Sequence, residues 1–367
     1  MQHAGPLLCV VIPTFNERDN VRPLVTELSE ALADVEWEVI FVDDDSPDGT
    51  AEMVRELGRG WSRIRCIQRI GRRGLSSACV EGMLGSSAPY LAVMDGDLQH
   101  DPKILPEMLA ILERRDAELV IGSRYVSGGS VENWTGLRKA ISRFATWLGR
   151  ALVPRNLHDP MSGFFALRRD LFDEVAHGLS CLGFKILLDI VATTPHQTRF
   201  REIPFGFRAR NAGASKLGGL VAWEYAMLLA DKLVGRYVPV RFISFAIIGA
   251  AGFGLHMAVV TLAYRVAQID FVTSQAVAVI LGMVINYTVN NALTYRDRRR
   301  QGLGWVTGLL TFVAACIVGA VANVAVASYL FTHHFNWLLA AAAGVAVGAV
   351  WNYTLTSMHT WGHGRAS

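Results

Sequence analysis

Lysine is missing from residues 240–367, and only seven of the chain's 35 basic residues and two of its 32 acids (Asp270, Asp297) fall there. So few charges exclude an ordinary solvated surface for that stretch, and they leave 28 basic and 30 acidic residues to 1–239. Cysteine is scarce as well. The five thiols, Cys9, Cys66, Cys79, Cys181 and Cys316, are scattered and odd in number. That excludes a disulfide framework and a thiolate metal site, so free thiols in a reducing compartment are expected. No Gly-x-Gly-x-x-Gly and no Walker-type glycine loop occurs, which argues against dinucleotide enzymes and P-loop NTPases. Met1–Pro6 runs directly into the apolar Leu7–Ile12, too short and without the basic flank of a signal peptide. The near-balanced formal charge of +3 points to no nucleic-acid partner.

What is present divides the chain in two. The length of 367 residues exceeds one ordinary domain, and the 51% hydrophobic content is concentrated at the C-terminal end. Phe242–Tyr264 and Phe271–Tyr295 carry no Asp, Glu, Lys or Arg, and neither does Gln301–Gly364, which the polar patch Thr332–Asn336 interrupts. A span needs about 20 apolar residues, so four transmembrane helices are expected, near 242–264, 271–295, 305–331 and 337–358. Trp305, Trp337, Trp351 and Trp361 fit interfacial positions. Arg296, Arg298, Arg299 and Arg300 lie between the second and third spans, Arg241 precedes the first and Arg365 follows the fourth. Positive loops stay cytoplasmic, so both termini and the domain 1–235 are expected in the cytoplasm. Asn286, Asn290, Asn291, Asn323 and Asn352 need a reason to lie in lipid: interhelical hydrogen bonds, or a path for a lipid headgroup.

The first part reads as alternating strands and helices: strands at Leu7–Ile12 (ended by Pro13), Glu38–Val42, Ile64–Ile67, Tyr90–Met94 and Glu118–Ile121, with helical spacing at Val21, Leu24, Val25, Leu28, Ala31 and Leu32. That pattern implies a mostly parallel, doubly wound α/β sheet. Asp95-Gly-Asp-Leu-Gln-His100 follows the fourth strand at the end where such sheets bind ligands. Asp95 and Asp97, with Gln99, can converge on one hard cation, Mg²⁺ or Mn²⁺, completed by substrate phosphates. Taken alone, the stretch is equally a solvated acidic loop. Asp43–Asp48 after the second strand can serve a nucleoside through Asp44, or form a turn with a helix cap at Ser46 or Asp48. Glu17 after the first strand can likewise accept from base N–H or ribose hydroxyls. Gly136–Val153 and Leu217–Val234 have the amphipathic spacing of helices lying at a membrane surface; domain packing is the alternative for both.

Six stretches stand in order: Val11-Ile-Pro-Thr-Phe-Asn-Glu17, Val42-Asp-Asp-Asp-Ser-Pro-Asp-Gly-Thr50, Met94-Asp-Gly-Asp-Leu-Gln-His100, Gly122-Ser-Arg-Tyr125, Asp159-Pro-Met-Ser-Gly-Phe-Phe165 and Gly213-Ala-Ser-Lys-Leu-Gly218. Together they resemble family 2 glycosyltransferases of the dolichol-phosphate mannose synthase type, and the tail resembles a GtrA-like membrane domain. The resemblance implies a GT-A fold and an inverting, metal-dependent transfer of mannose from GDP-mannose to a polyisoprenyl phosphate. It implies nucleotide-sugar contacts at Pro13, Phe15, Glu17, Val42, Asp44, Asp95, Gly96, Asp97, Arg210 and Lys216. It places the acceptor phosphate at Arg124, Arg138 and Ser142, and the metal at Asp95, Asp97 and Gln99, with Asp95, Asp97 and Arg124 as the catalytic set. Phe15 stands where the family usually has Tyr, and Arg72–Ser77 replaces a more glycine-rich loop. No Gln-x-x-Arg-Trp motif of processive synthases occurs, so a single transfer is expected. UDP-glucose as donor, or a lipid-linked sugar flippase with a regulatory soluble domain, are the alternatives.

Overall fold

The computed structural model describes residues 5–71, 74–128, 130–131, 153–154, 156–181, 183–194, 198–208, 219–235 and 237–362. The chain divides into two compact units, Met1–Leu233 and Val234–Ser367. Most of the expected helix 136–153, with Arg138 and Ser142, lies outside the described residues, as do Arg72, Arg210 and Lys216.

The first unit is built on β1 (Leu8–Thr14), α1 (Arg18–Ala31), β2 (Trp37–Asp43), α2 (Thr50–Gly60), β3 (Ile64–Gln68), α3 (Leu75–Leu84) and β4 (Tyr90–Val93). After these come α4 (Leu105–Glu113), β5 (Leu119–Ser123), β6 (Ser130–Val131), β7 (Phe165–Arg168), α5 (Arg169–Val175), α6 (Ile186–Thr193), β8 (Phe200–Pro204), β9 (Gly206–Phe207) and α7 (Gly219–Val234). Seven strands form one sheet in the order β3-β2-β1-β4-β7-β5-β8, and β6 pairs with β9 apart from it. All pairs are parallel except those of β7, which runs antiparallel between β4 and β5. This is the mixed sheet of a GT-A-type domain.

Alternation along the strands builds two cores, one on each face. Leu8, Val10 and Ile12 of β1 meet α1, α2 and α4, while Cys9 and Val11 meet α3 and α5 to α7. β1 does not end at Pro13: it runs to Thr14, with Pro13 opposite Val42. Proline is tolerated there because its missing donor points to the β4 side, the side on which Val11 O accepts from Met94 N–H, and β4 pairing stops at Val11. The chains leaving β1, β2 and β4 turn through left-handed residues, Asn16 (φ 58°), Asp45 (φ 57°) and Leu98 (φ 62°). Asn and Asp take that conformation readily, whereas Leu98 is held in it by a side chain buried in the first core.

Residues 219–234 do form a helix, α7, but Met227, Leu228 and Leu229 lie in the second core, and Lys232 pairs with Asp189 at 2.5 Å. That part of its apolar surface is committed to protein, while Leu233 and Val234 stay exposed.

The second unit is helical: α8 (Val240–Thr261), α9 (Phe271–Ala292), α10 (Leu303–Thr332) and α11 (Trp337–Leu355). Among the described residues three helices are long and apolar enough to cross a membrane: Val240–Val266, Phe271–Ala292 and Leu303–Thr332. The fourth expected span is occupied by the 19-residue α11. One run of polar residues in this unit is joined by hydrogen bonds. Ser244 Oγ and Thr294 Oγ1 are 2.6 Å apart, Thr294 donates to Asn290 Oδ1 (2.8 Å), and Asn290 Nδ2 to Asn286 Oδ1 (2.6 Å). Trp361 is not an interfacial anchor. It is 1% exposed, stacks on Tyr295 with centroids 4.0 Å apart and gives its Nε1–H to Asn291 Oδ1 at 3.0 Å.

Candidate active site

The loops that follow β1, β2, β4 and β5 open at the same end of the sheet, and they carry the acids singled out from the sequence. After β1, Glu17 accepts from Asn20 Nδ2 (2.7 Å), and its backbone N–H reaches Thr50 Oγ1 (3.1 Å). After β2, the acids divide their work. Asp43 holds the turn, accepting from the N–H (2.9 Å) and hydroxyl (2.5 Å) of Ser46, and Asp48 takes the N–H of Thr50 at the head of α2 (3.0 Å). The turn-and-cap reading therefore applies to Asp43 and Asp48.

Asp44 is different. Its carboxylate accepts from Arg69 Nε (2.7 Å) and from Gly74 N–H (2.8 Å), and is also paired with Arg69 Nη2. Arg69 is 1% exposed and further bonded to Ser77 Oγ (2.8 Å) and Gly74 O (2.8 Å). Sequence reading missed Arg69; its signal is an arginine directly after β3, at the end of the sheet where the acids stand. Val42 is wholly buried in the second core, so its side chain is closed to a nucleoside. Pro13 and Phe15 keep partial exposure beside the acids.

After β4 the expected cation loop is held from three sides. Asp95 N–H donates to His100 Nδ1 (3.0 Å). This leaves the imidazole proton on Nε2, 3.8 Å from Asp95 Oδ2. The His100 ring stacks on Phe164 at 5.1 Å and meets the edges of Phe205 and Phe207. Burial in that apolar cage, against the pull of Asp97, drives its pKa down to about 4. His100 is thus neutral at physiological pH and acts as a positioning wedge. Asp97 is 5% exposed and accepts the N–H of Gln99 (3.2 Å). Gln99 gives Nε2 to Arg208 O (3.0 Å) and takes Arg208 N–H on its backbone carbonyl (3.0 Å), leaving the side-chain oxygen as its outstanding acceptor. Arg208 is pinned by Glu27 (3.0 Å) and Asp101 (2.8 Å). Gly96 and Gly163 pack close: a Cβ on Gly163 would meet Asp95 Oδ2 at 2.8 Å.

After β5 stands Arg124, whose fork is taken by Asp159: Nε to Oδ2 and Nη2 to Oδ1, both 2.8 Å, with the backbone N–H on Oδ2 at 3.1 Å. Asp159 has no exposed surface. Burial alone would lower the Arg124 pKa, but the bonds and charge of Asp159 outweigh it and raise it. The sequence reading gave this fork to an acceptor phosphate; the structure joins it to Asp159 in a buried bidentate pair. Lys185, absent from the sequence-derived set, has its Nζ 3.3 Å from Met161 O. Its pKa is lowered by burial first and by Arg124 next, against Asp95 and Asp159.

Asp95, Asp97 and Gln99 offer only hard oxygen ligands. Among the described residues no group of three or more His, Cys, Asp or Glu forms a self-sufficient metal cage. Two carboxylates and an amide oxygen suit Mg²⁺ or Mn²⁺ completed by phosphate oxygens, and unlike a His- or Cys-rich set they do not suit zinc.

Residues 9–176 match the family described as glycosyl transferase family 2, and residues 244–361 match the GtrA/DPMS transmembrane domain. A dolichol-phosphate mannosyltransferase of Pyrococcus furiosus is 35% identical over 354 residues, covering 96% of this chain and 98% of its own. The protein of the same name from Mycosarcoma maydis is 39% identical over 248 residues, 65% of this chain and 83% of its own. That of Saccharomyces cerevisiae is 35% identical over 237 residues, covering 62% and 87%.

Proposed function

Because this chain belongs to the family 2 glycosyltransferases of the dolichol-phosphate mannosyltransferase type, fused to a GtrA/DPMS membrane domain, we propose that it transfers mannose from GDP-mannose to a polyisoprenyl phosphate with inversion. The observation that carries the reading is the Asp95–His100 loop. It presents two carboxylates and an amide oxygen past the end of β4, locked by the His100 ring and the Arg208 backbone. Asp95, Asp97 and Gln99 would hold Mg²⁺ or Mn²⁺, which would offset the charge of the donor diphosphate.

The chain's own groups do the rest. Asp44, fixed by Arg69 and Gly74, and Glu17, fixed by Asn20, accept from the base or ribose; Phe15 offers a face for stacking. Arg210 and Lys216 supply cations to the donor diphosphate, and Arg138 and Ser142 bind the acceptor. Arg124 holds Asp159 in place at the acceptor side. The acceptor's phosphate, with a second pKa of about 6, is already a nucleophile at neutral pH and needs no general base. Its oxygen attacks the anomeric carbon, the bond to the donor phosphate breaks, and a nucleoside diphosphate leaves. A single displacement inverts that carbon. Asp159 is poorly placed to act as a covalent nucleophile, since both its oxygens are engaged by Arg124.

The membrane reading rests on the three apolar helices. The arginines of 296–300 support cytoplasmic loops, termini and catalytic domain. The test is direct: purified full chain in detergent with labelled GDP-mannose or UDP-glucose, polyprenyl phosphate and Mg²⁺ or Mn²⁺. Labelled lipid from GDP-mannose, lost with EDTA, is the expected result. Label from UDP-glucose alone would move the donor, and label from neither would overturn the transferase reading.

A further inference from the structure

Lys185 is a desolvated cation with almost nothing to satisfy it. It keeps part of its surface, but burial dominates its electrostatics. Among the described residues its ammonium has one hydrogen-bond partner, the uncharged Met161 carbonyl at 3.3 Å, and no carboxylate within ion-pair reach. The charges that face it are Arg124, Asp95 and Asp159. Arg124 repels it. Asp159 is already neutralised by Arg124 through paired 2.8 Å bonds. Asp95 is the carboxylate that the proposed function turns toward a divalent cation. The stem is not loose: Lys185 immediately precedes α6 and its carbonyl accepts Asp189 N–H at 3.1 Å. A buried charge without a counter-ion is costly and persists where a ligand completes it. An ammonium with two donors unspent is the complement of a phosphate oxygen.

We infer that Lys185 is a phosphate-binding residue for the acceptor, contacting the monoester headgroup at the site where Arg124 is engaged by Asp159. The assignment to the acceptor rests on the proposed transfer and on position. Lys185 faces Arg124 and Asp159 of the acceptor side as well as Asp95 of the cation loop, whereas the groups suited to the nucleoside, Asp44 and Arg69, form a separate cluster after β2 and β3.

The probe is decyl phosphate, an alkyl monoester bearing the acceptor's headgroup, titrated into the full chain in detergent by calorimetry, with GDP and UDP plus Mg²⁺ titrated in parallel. Lys185→Met keeps the stem and removes the charge. It should weaken decyl phosphate by about tenfold or more, as expected for one lost charged hydrogen bond. Nucleotide affinity should stay within about twofold of wild type, because that binding rests on other groups. The same variant should melt at or above the wild-type temperature, since an uncompensated buried charge is gone. A residue with a purely structural role would instead lower the melting temperature. Lys185→Arg should retain binding. Should Lys185→Met fail to fold, the structural role is established and the inference falls. Decyl phosphate binding unchanged in Lys185→Met, or weakened nucleotide binding with decyl phosphate intact, also overturns it. If decyl phosphate binds through Lys185 yet neither sugar donor yields labelled lipid, the phosphate site stands and the proposed transfer fails. If transfer occurs and Lys185→Met binds decyl phosphate normally, the reverse holds.

Discussion

A β-carbon on Gly163 would lie 2.8 Å from Asp95 Oδ2 and 3.2 Å from its Cγ. Backbone and carboxylate cannot both stay, and the exposed partner moves: the Asp95 side chain is 35% exposed. Gly163→Ala should therefore turn the carboxylate away while leaving the core intact. Turnover should fall by about 100-fold, the loss expected of an ångström-scale misplacement. The Mg²⁺ requirement should rise and the melting temperature change little; a variant with wild-type turnover would show that Asp95 is not used. At His100 the consequence is one of pH. Its pKa is about 4 in the folded chain against an ordinary 6.5. Between those values the unfolded chain binds more protons, so stability is whole above about 6.5 and is lost as pH falls toward 4. The loss across the window is on the order of 3 kcal/mol. His100→Asn keeps an acceptor for Asp95 N–H and removes the titration. Denaturation midpoints taken between pH 4 and 7 should slope for the wild type and flatten for the variant.

The elements are tied together by pairs that span them. Arg124 after β5 and Asp159 before β7 are 35 residues apart, buried, and bonded twice at 2.8 Å. Removing one partner strands a charge, at a cost of about 3–5 kcal/mol, whereas removing both leaves none stranded. Arg124→Ala and Asp159→Ala should each lower the unfolding midpoint sharply, and the double variant should cost much less than their sum in a thermodynamic cycle. Additive losses would show that the pair is not coupled. Such pairs mark the border of what the sequence made legible. The strands β1, β2 and β4 and the acids at their ends were readable because an apolar run and its following loop are local. So was the Asp95–Gln99 triad. Arg69 with Asp44, Arg124 with Asp159, and Lys185 with Met161 were not. Each acquires its meaning from a partner more than 20 residues away that only tertiary structure supplies. The antiparallel course of β7 was hidden for a related reason: side-chain alternation is the same in either direction. Pro13 misled as a strand terminator because a sheet accepts proline where the neighbouring strand has already left.

At the scale of the whole molecule, composition alone separated the two units, since a charge-poor, lysine-free stretch of apolar helices has one natural solvent. Which way those helices run is set by where arginine sits. Arg296, Arg298, Arg299 and Arg300 crowd the connection between α9 and α10, whereas Arg265 alone marks the connection between α8 and α9. Translocating the α9–α10 connection would carry four guanidinium groups across the bilayer, so in the proposed orientation it stays cytoplasmic and the other faces out. Single cysteines at the exposed positions 269 and 299 report the two loops. The native thiols in the first unit give little background. Burial pushes Cys9 up to about 12 and Cys66 to about 11 and raises Cys79 still further, so each is a thiol rather than a thiolate at neutral pH. Cys181 and Cys316 are replaced by serine and alanine to clear the rest. A membrane-impermeant maleimide should label Ile269→Cys in intact cells and Arg299→Cys only after permeabilisation. Labelling of position 299 from outside would invert the orientation and put the catalytic domain on the wrong side of the membrane for a cytoplasmic sugar donor.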